Sequence, residues 1–244
     1  MDSRVPEIRK HLKKKLDAYR YEHTLGVEFT CQALAMRYGY DLDKADLAGL
    51  LHDSAKRFEN PVMLQKCLDR GIPVTAEEER DPSLLHAKLG AWMAENKYGV
   101  DDPEILSAIT CHTTGKPGMS LLDKILYVAD YIEPRRSKAA NLTAMRKLAF
   151  IDLDEACLEI MESILVYLKS TGCQVDPMTE AACEDMRRVV SERKKETAGE
   201  ASAGTGITHQ DKEEQSVESV KRNGKACSRG FGREKRRRCK NYRH

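Results

Sequence analysis

The chain of 244 residues is 41% apolar and 33% charged, enough for one domain with a sizeable core or two small ones. No apolar run approaches the ~18 residues of a membrane span, and the opening Met1-Asp2-Ser3-Arg4-Val5-Pro6 has no apolar signal stretch. Eight cysteines without a C-x-x-C pair read as reduced thiols, so neither an integral membrane protein nor a Sec-exported one is expected, and a cytoplasmic protein is.

The net charge of +2 hides a split. Residues 1–196 carry 29 Lys and Arg against 33 Asp and Glu, whereas residues 197–244 carry 12 against 6. The sequence therefore predicts an acidic body and a basic appendage.

In chain order, Pro6–Tyr19 reads as a basic amphipathic helix with Ile8, Leu12, Leu16 and Tyr19 on one side. Tyr21–Tyr38 is a second run. A third follows Asp41, a good N-cap, and sets Leu47, Leu50, Leu51 and Ala55 on one face. Pro61 opens a short helix that Gly71-Ile72-Pro73 closes. Leu84–Lys97, Pro103–Cys111, Ser120–Ile132 and Asp152–Lys169 give four more, and helix-like patterning continues to about Lys195. Nothing alternates with period two for long enough to make a sheet. The body, residues 1–196, is expected to be all-α. Residues 197–244 lack the aliphatic content to offset their ordering entropy and are expected to be disordered.

Four histidines sit beside apolar residues inside or at the ends of these helices: His23, His52, His86 and His112. His11, on the basic first helix, reads as plain surface. Asp53 follows Leu50-Leu51-His52, and Asp130 shares a stripe with Leu122 and Leu126. An ionised carboxylate in such a place is costly unless it is paired or metal-bound. Four imidazoles and two carboxylates from five helices suit a two-metal site. This donor set favours iron, manganese, zinc or cobalt over an iron–sulfur cluster. Two such ions would activate a bridging water and clamp phosphoryl oxygens.

The ordered set H…HD…H…H…D resembles the HD-domain metal-dependent phosphohydrolases. Its flanking words are similar to those of the YqeK family of bacterial symmetrical bis(5'-nucleosyl)-tetraphosphatases. They are Arg20-Tyr21-Glu22-His23-Thr24-Leu25-Gly26-Val27, Ala48 through Lys56, His112-Thr113-Thr114-Gly115 and Leu121 through Pro134. The likeness covers about residues 4–190. It implies an HD-domain helical bundle that hydrolyses diadenosine tetraphosphate to two ADP by a hydroxide held between two metals. The implied centre is di-iron, with manganese or cobalt as alternatives. His23, His52, Asp53 and Asp130 would hold one ion; His86, His112 and the shared Asp53 the other, which makes Asp53 the key catalytic side chain. Arg20, Lys56 and Arg136 match positions expected near the phosphates. Ser137-Lys138-Ala139-Ala140 and Gln174-Val175-Asp176-Pro177 depart from the family's pattern and put base contacts there in question.

Two other readings stand beside this one. The same centre could act on another nucleotide, such as a nucleoside triphosphate or a cyclic dinucleotide. Alternatively, the chain could be a nucleotide- or RNA-binding, ribosome-associated module. Lys221–His244, with eleven Lys and Arg and one acid, is a candidate RNA contact through counterion release.

Overall fold

The computed structural model describes residues 2–203. Chain packing divides them after Ser191. The helices are α1 (Val5–Lys15), α2 (Ala18–Tyr38), α3 (Leu42–Leu51), α4 (Asn60–Leu68), α5 (Ala76–Arg80), α6 (Leu85–Tyr98), α7 (Pro103–Cys111), α8 (Leu121–Ile132), α9 (Leu142–Leu148), α10 (Leu153–Ser170) and α11 (Pro177–Ala203). No strand occurs among the described residues, and none of their helices is long and apolar enough to cross a membrane. The all-α expectation holds.

Capping sets the helix starts. The Asp17 carboxylate accepts the Arg20 N–H, Asp41 accepts those of Asp43 and Lys44, and Ser120 and Asp123 form a reciprocal capping box. The first of these corrects the sequence expectation. Helix α1 stops at Lys15, Leu16 is extended, and Asp17 starts α2. Arg20 therefore lies in the first turn of α2, one turn before His23.

Helix α8 lies at the centre and packs against α2, α3, α7 and α10. Leu122, Ile125, Leu126, Tyr127, Val128, Ala129, Tyr131 and Ile132 are all buried, the pattern of a helix apolar nearly all round. Helices α2 and α3 form a close pair because Gly49 has no side chain: a Cβ there would stand 2.7 Å from the Glu28 Cα. A satellite core of Ala55, Met63, Cys67, Leu85, Leu89 and Met93 joins α4 to α6.

Helices α5 and α9 are too short for periodicity to reveal. Helix α11 runs to Ala203, beyond the boundary at residue 196, because its last turns are rich in Ala, Glu and Lys, which favour helix without needing an apolar face. The expected disorder and the RNA contact of the remaining tail lie outside the described residues. Cys31, Cys67, Cys111, Cys157 and Cys183 are free, buried thiols.

Candidate metal centre

The helical frame brings the six expected ligand side chains to one point. His23 comes from the second turn of α2 and His86 from the first turn of α6, while His52 and His112 cap the C-termini of α3 and α7. Asp130 lies in the last turn of α8. After Leu51 the backbone passes into successive tight turns, with Ser54 N–H donating to Leu51 O and Lys56 N–H to Asp53 O. That unwinding turns the neighbouring His52 and Asp53 side chains toward the same centre.

Asp53 occupies the middle. Its Oδ2 is 3.7 Å from His23 Nε2 and 3.5 Å from His52 Nε2, and its Oδ1 is 3.6 Å from both His86 Nε2 and His112 Nε2. Asp130 Oδ1 is 3.1 Å from His23 Nε2. Two donor groups result, His23–His52–Asp130 and His52–Asp53–His112, each with its ligand atoms within 4.8 Å of one another.

Every Nδ1 is engaged on the outer side. Those of His52, His86 and His112 meet the carbonyl oxygens of Gly49, Ser83 and Ile109 at 2.7, 2.5 and 2.7 Å, each three residues back. His23 Nδ1 meets Glu133 Oε1 at 3.2 Å. A carbonyl accepts only, so the proton of each neutral ring sits on Nδ1 and the Nε2 lone pair faces inward. His86 Nε2 and His112 Nε2 consequently face each other unprotonated, 3.1 Å apart. His52 Nε2 and Asp53 Oδ1 are buried without a hydrogen-bond partner. Inward lone pairs with no proton between them fit a cation, and the donor set suggests divalent metal binding.

The charges agree. Burial pushes His52 down and His86 well below the usual imidazole range, where Lys56 and His112 add to the effect. Burial works against the Asp53 anion, but Lys56 and the imidazoles outweigh it and hold the carboxyl well below its ordinary value. The same holds for Asp130, where Arg136 and His23 prevail. Burial also opposes a charged His23, yet Asp130 and Glu133 push it up to about 9.

The three expected cations surround the centre. Arg20 Nη1 donates to Asp53 Oδ2 at 2.8 Å, Lys56 Nζ is 3.5 Å from Asp53 Oδ1, and Arg136 Nη2 is 2.9 Å from Asp130 Oδ1. Two side chains escaped sequence reasoning. Glu133, 1% exposed, orients His23; Gly26 leaves it room, since a Cβ there would lie 2.6 Å from Glu133 Oε2. Arg146 of α9 donates to the carbonyls of Ile132, Glu133 and Arg136 and so shapes the turn that presents Arg136. The signal for Glu133 was present in the word Ile132-Glu133-Pro134. Arg146 had none.

A cavity of about 370 Å3 adjoins the centre at Thr113, whose Oγ1 is 3.1 Å from His86 Nε2. Its lysines are paired, Lys88 with Glu78 at 2.8 Å and Lys116 with Asp123 at 3.0 Å. Asp176 and Pro177, from one of the departing stretches, also line it.

A helical bundle that gathers four imidazoles and two carboxylates in this order defines an HD-domain hydrolase, and the HD-domain family matches residues 20–135. The chain is 40% identical over 168 residues to the symmetrical bis(5'-nucleosyl)-tetraphosphatase of Bacillus subtilis, covering 69% of this chain and 89% of that protein. It is 37% identical over 172 residues to the protein of the same name from Halalkalibacterium halodurans, with the same coverage of each. The crystal structure of a predicted HD superfamily hydrolase involved in NAD metabolism from Clostridium acetobutylicum superposes with a TM-score of 0.73 at 37% identity, over 75% of this chain and 96% of that one. The chain belongs to the family of symmetrical bis(5'-nucleosyl)-tetraphosphatases.

Proposed function

We propose that the protein hydrolyses dinucleoside tetraphosphates, diadenosine tetraphosphate foremost, to two nucleoside diphosphates, using two divalent transition-metal ions that we assign as iron. The observation that carries this reading is the placement of Asp53, with one carboxylate oxygen toward His23 and His52 and the other toward His86 and His112. In this reading His23, His52, Asp53 and Asp130 hold one ion, and Asp53, His86 and His112 the other. Bound there, the ions would supply an activated water and charge stabilisation for phosphoryl transfer.

The protein's own contribution is positioning and charge. Carbonyl contacts at Nδ1 lock three rings, and Glu133 locks the fourth, so little reorganisation is needed when the ions bind. Arg20, Lys56 and Arg136, now on Asp53 and Asp130, are within reach of a phosphate chain bearing about four negative charges. The near-neutral cavity beside Thr113 suits an uncharged nucleoside, in a volume typical of small-molecule sites. The metal ligands match the family words without departure. That supports an active hydrolase over a binding module.

Testing this reading requires metal-loaded protein and a panel containing dinucleoside polyphosphates, nucleoside triphosphates and cyclic dinucleotides. We expect the highest kcat/KM on the dinucleoside tetraphosphate and no turnover by Asp53→Ala. A preference for either of the other two classes would replace this substrate while leaving the centre intact.

A further inference from the structure

A second cavity, of about 950 Å3, opens between the exposed side of α1 and the segments carrying Arg57-Phe58 and Lys97-Tyr98. None of the six clustered metal-ligand candidates lines it. Its wall holds six Lys and Arg side chains and His11 against a single carboxylate, Glu7. Arg4 is engaged by Asp2 and the Gly99 carbonyl, and Lys10 lies 3.6 Å from Glu7. Among the described residues, no carboxylate lies within ion-pair distance of Lys14, Lys15, Arg57 or Lys97. The Nε of Arg57 and the phenol oxygen of Tyr98 are buried and make no hydrogen bond.

We propose that this cleft is a second anion site, separate from the metal centre, that binds a chain of phosphate groups. Cations do not collect on one wall without mutual repulsion. Burial, followed by Arg57, Lys15, Lys97 and Lys14, depresses the basicity of His11, and burial followed by Arg57, Arg70, Lys66 and Lys15 does the same for Lys97. A bound anion relieves that repulsion. The basic residues from Arg4, the N-cap of α1, to Lys15 at its end span about 16 Å at 1.5 Å per residue. A lone carboxylate or monophosphate leaves most of that row unmatched, whereas a phosphate chain spreads charge along it. Ile8, Phe58 and Tyr98 are the apolar side chains among the lining residues, and the others carry charge or an imidazole. The chain can come from a free polyphosphate or from a single-stranded nucleic-acid backbone.

The test uses the full-length, metal-loaded protein, calorimetric titration with tripolyphosphate, and a separate titration with a short oligouridylate over a range of salt. Lys14 and Lys97 are exposed, so Lys14→Glu/Lys97→Glu should fold, and Lys14→Gln/Lys97→Gln provides a milder check. We expect the charge-reversal variant to lose one equivalent of tripolyphosphate per chain while keeping its kcat/KM for hydrolysis. With oligouridylate, its salt slope should fall by about 1.4, from ~0.7 per cation lost. Weakening of tripolyphosphate alone identifies a free phosphate chain; weakening of oligouridylate alone identifies a nucleic acid. Arg236→Glu/Arg237→Glu reports binding by the tail. If both probes bind the cleft variant as they bind the wild type, the proposal is wrong, whatever the tail variant does.

Discussion

His23 differs from the other three rings because its Nδ1 meets a carboxylate and not a backbone carbonyl. Such a partner fixes the ring and raises its basicity as a ligand. Glu133→Gln should therefore keep the fold and lose about 10–100-fold in metal affinity or activity, measured by chelator competition. Unchanged affinity would mean that α2 alone orients His23. Asp53→Ala should empty both positions and cost more activity than Asp130→Ala, which metal analysis of the two variants would resolve. Away from the centre, burial and the neighbouring Asp46 push Glu28 up to about 8, against the opposing pull of Arg9. The folded state then binds an extra proton between the ordinary value of 4.5 and about 8. Its stability contribution is complete below that window and is lost as pH rises through it. Glu28→Gln should remove this loss, so its Tm relative to wild type should rise with pH and stay higher above pH 8; parallel Tm–pH curves would contradict the assignment. The histidines and Asp53 were legible in the sequence because polar side chains stood out on apolar helix faces. Glu133 stood in the word Ile132-Glu133-Pro134, but its contact with His23 was not legible, because nothing in a linear reading places the end of α8 against the second turn of α2.

At the scale of elements, the α2–α3 pair sets the geometry of the centre. The Gly49 carbonyl accepts from His52 Nδ1, and the absent Gly49 side chain lets α2 approach. In Gly49→Ala the new Cβ meets main chain, which cannot rotate away. Overpacking of this kind costs about 1–3 kcal/mol, and each kcal/mol lowers Tm by about 2–4 °C in a domain of this size. Calorimetry should record that drop together with reduced metal content, since His52 moves with its carbonyl partner. A Tm within a degree of wild type would show that the pair has slack. Most helices were readable because their caps and apolar periods coincide. The α1–α2 junction was not, since apolar spacing runs on through Leu16 to Tyr19 while the Asp17 cap breaks the hydrogen-bond ladder. Helix α9 has only Leu142 and Met145 buried, too few to show a period.

For the whole chain, every side chain assigned to the centre lies between Arg20 and Arg136, inside the unit that ends at Ser191. Truncation after Lys195 should leave kcat and the thermal transition nearly unchanged, although it shortens α11. The same truncation should remove any salt-sensitive RNA affinity that the eleven cations of Lys221–His244 carry. A large loss of hydrolysis would instead place part of the catalytic unit in the tail. The charge split between body and tail was legible from composition. The basic cleft was only half legible: the lysines of α1 were evident, but Arg57 and Lys97 join them only through the fold. The most direct test of symmetrical hydrolysis is chromatography of the first products that the iron-loaded, full-length protein forms from diadenosine tetraphosphate. We expect ADP alone, two molecules per substrate consumed. AMP and ATP appearing together in equal amounts from the earliest time point would contradict it.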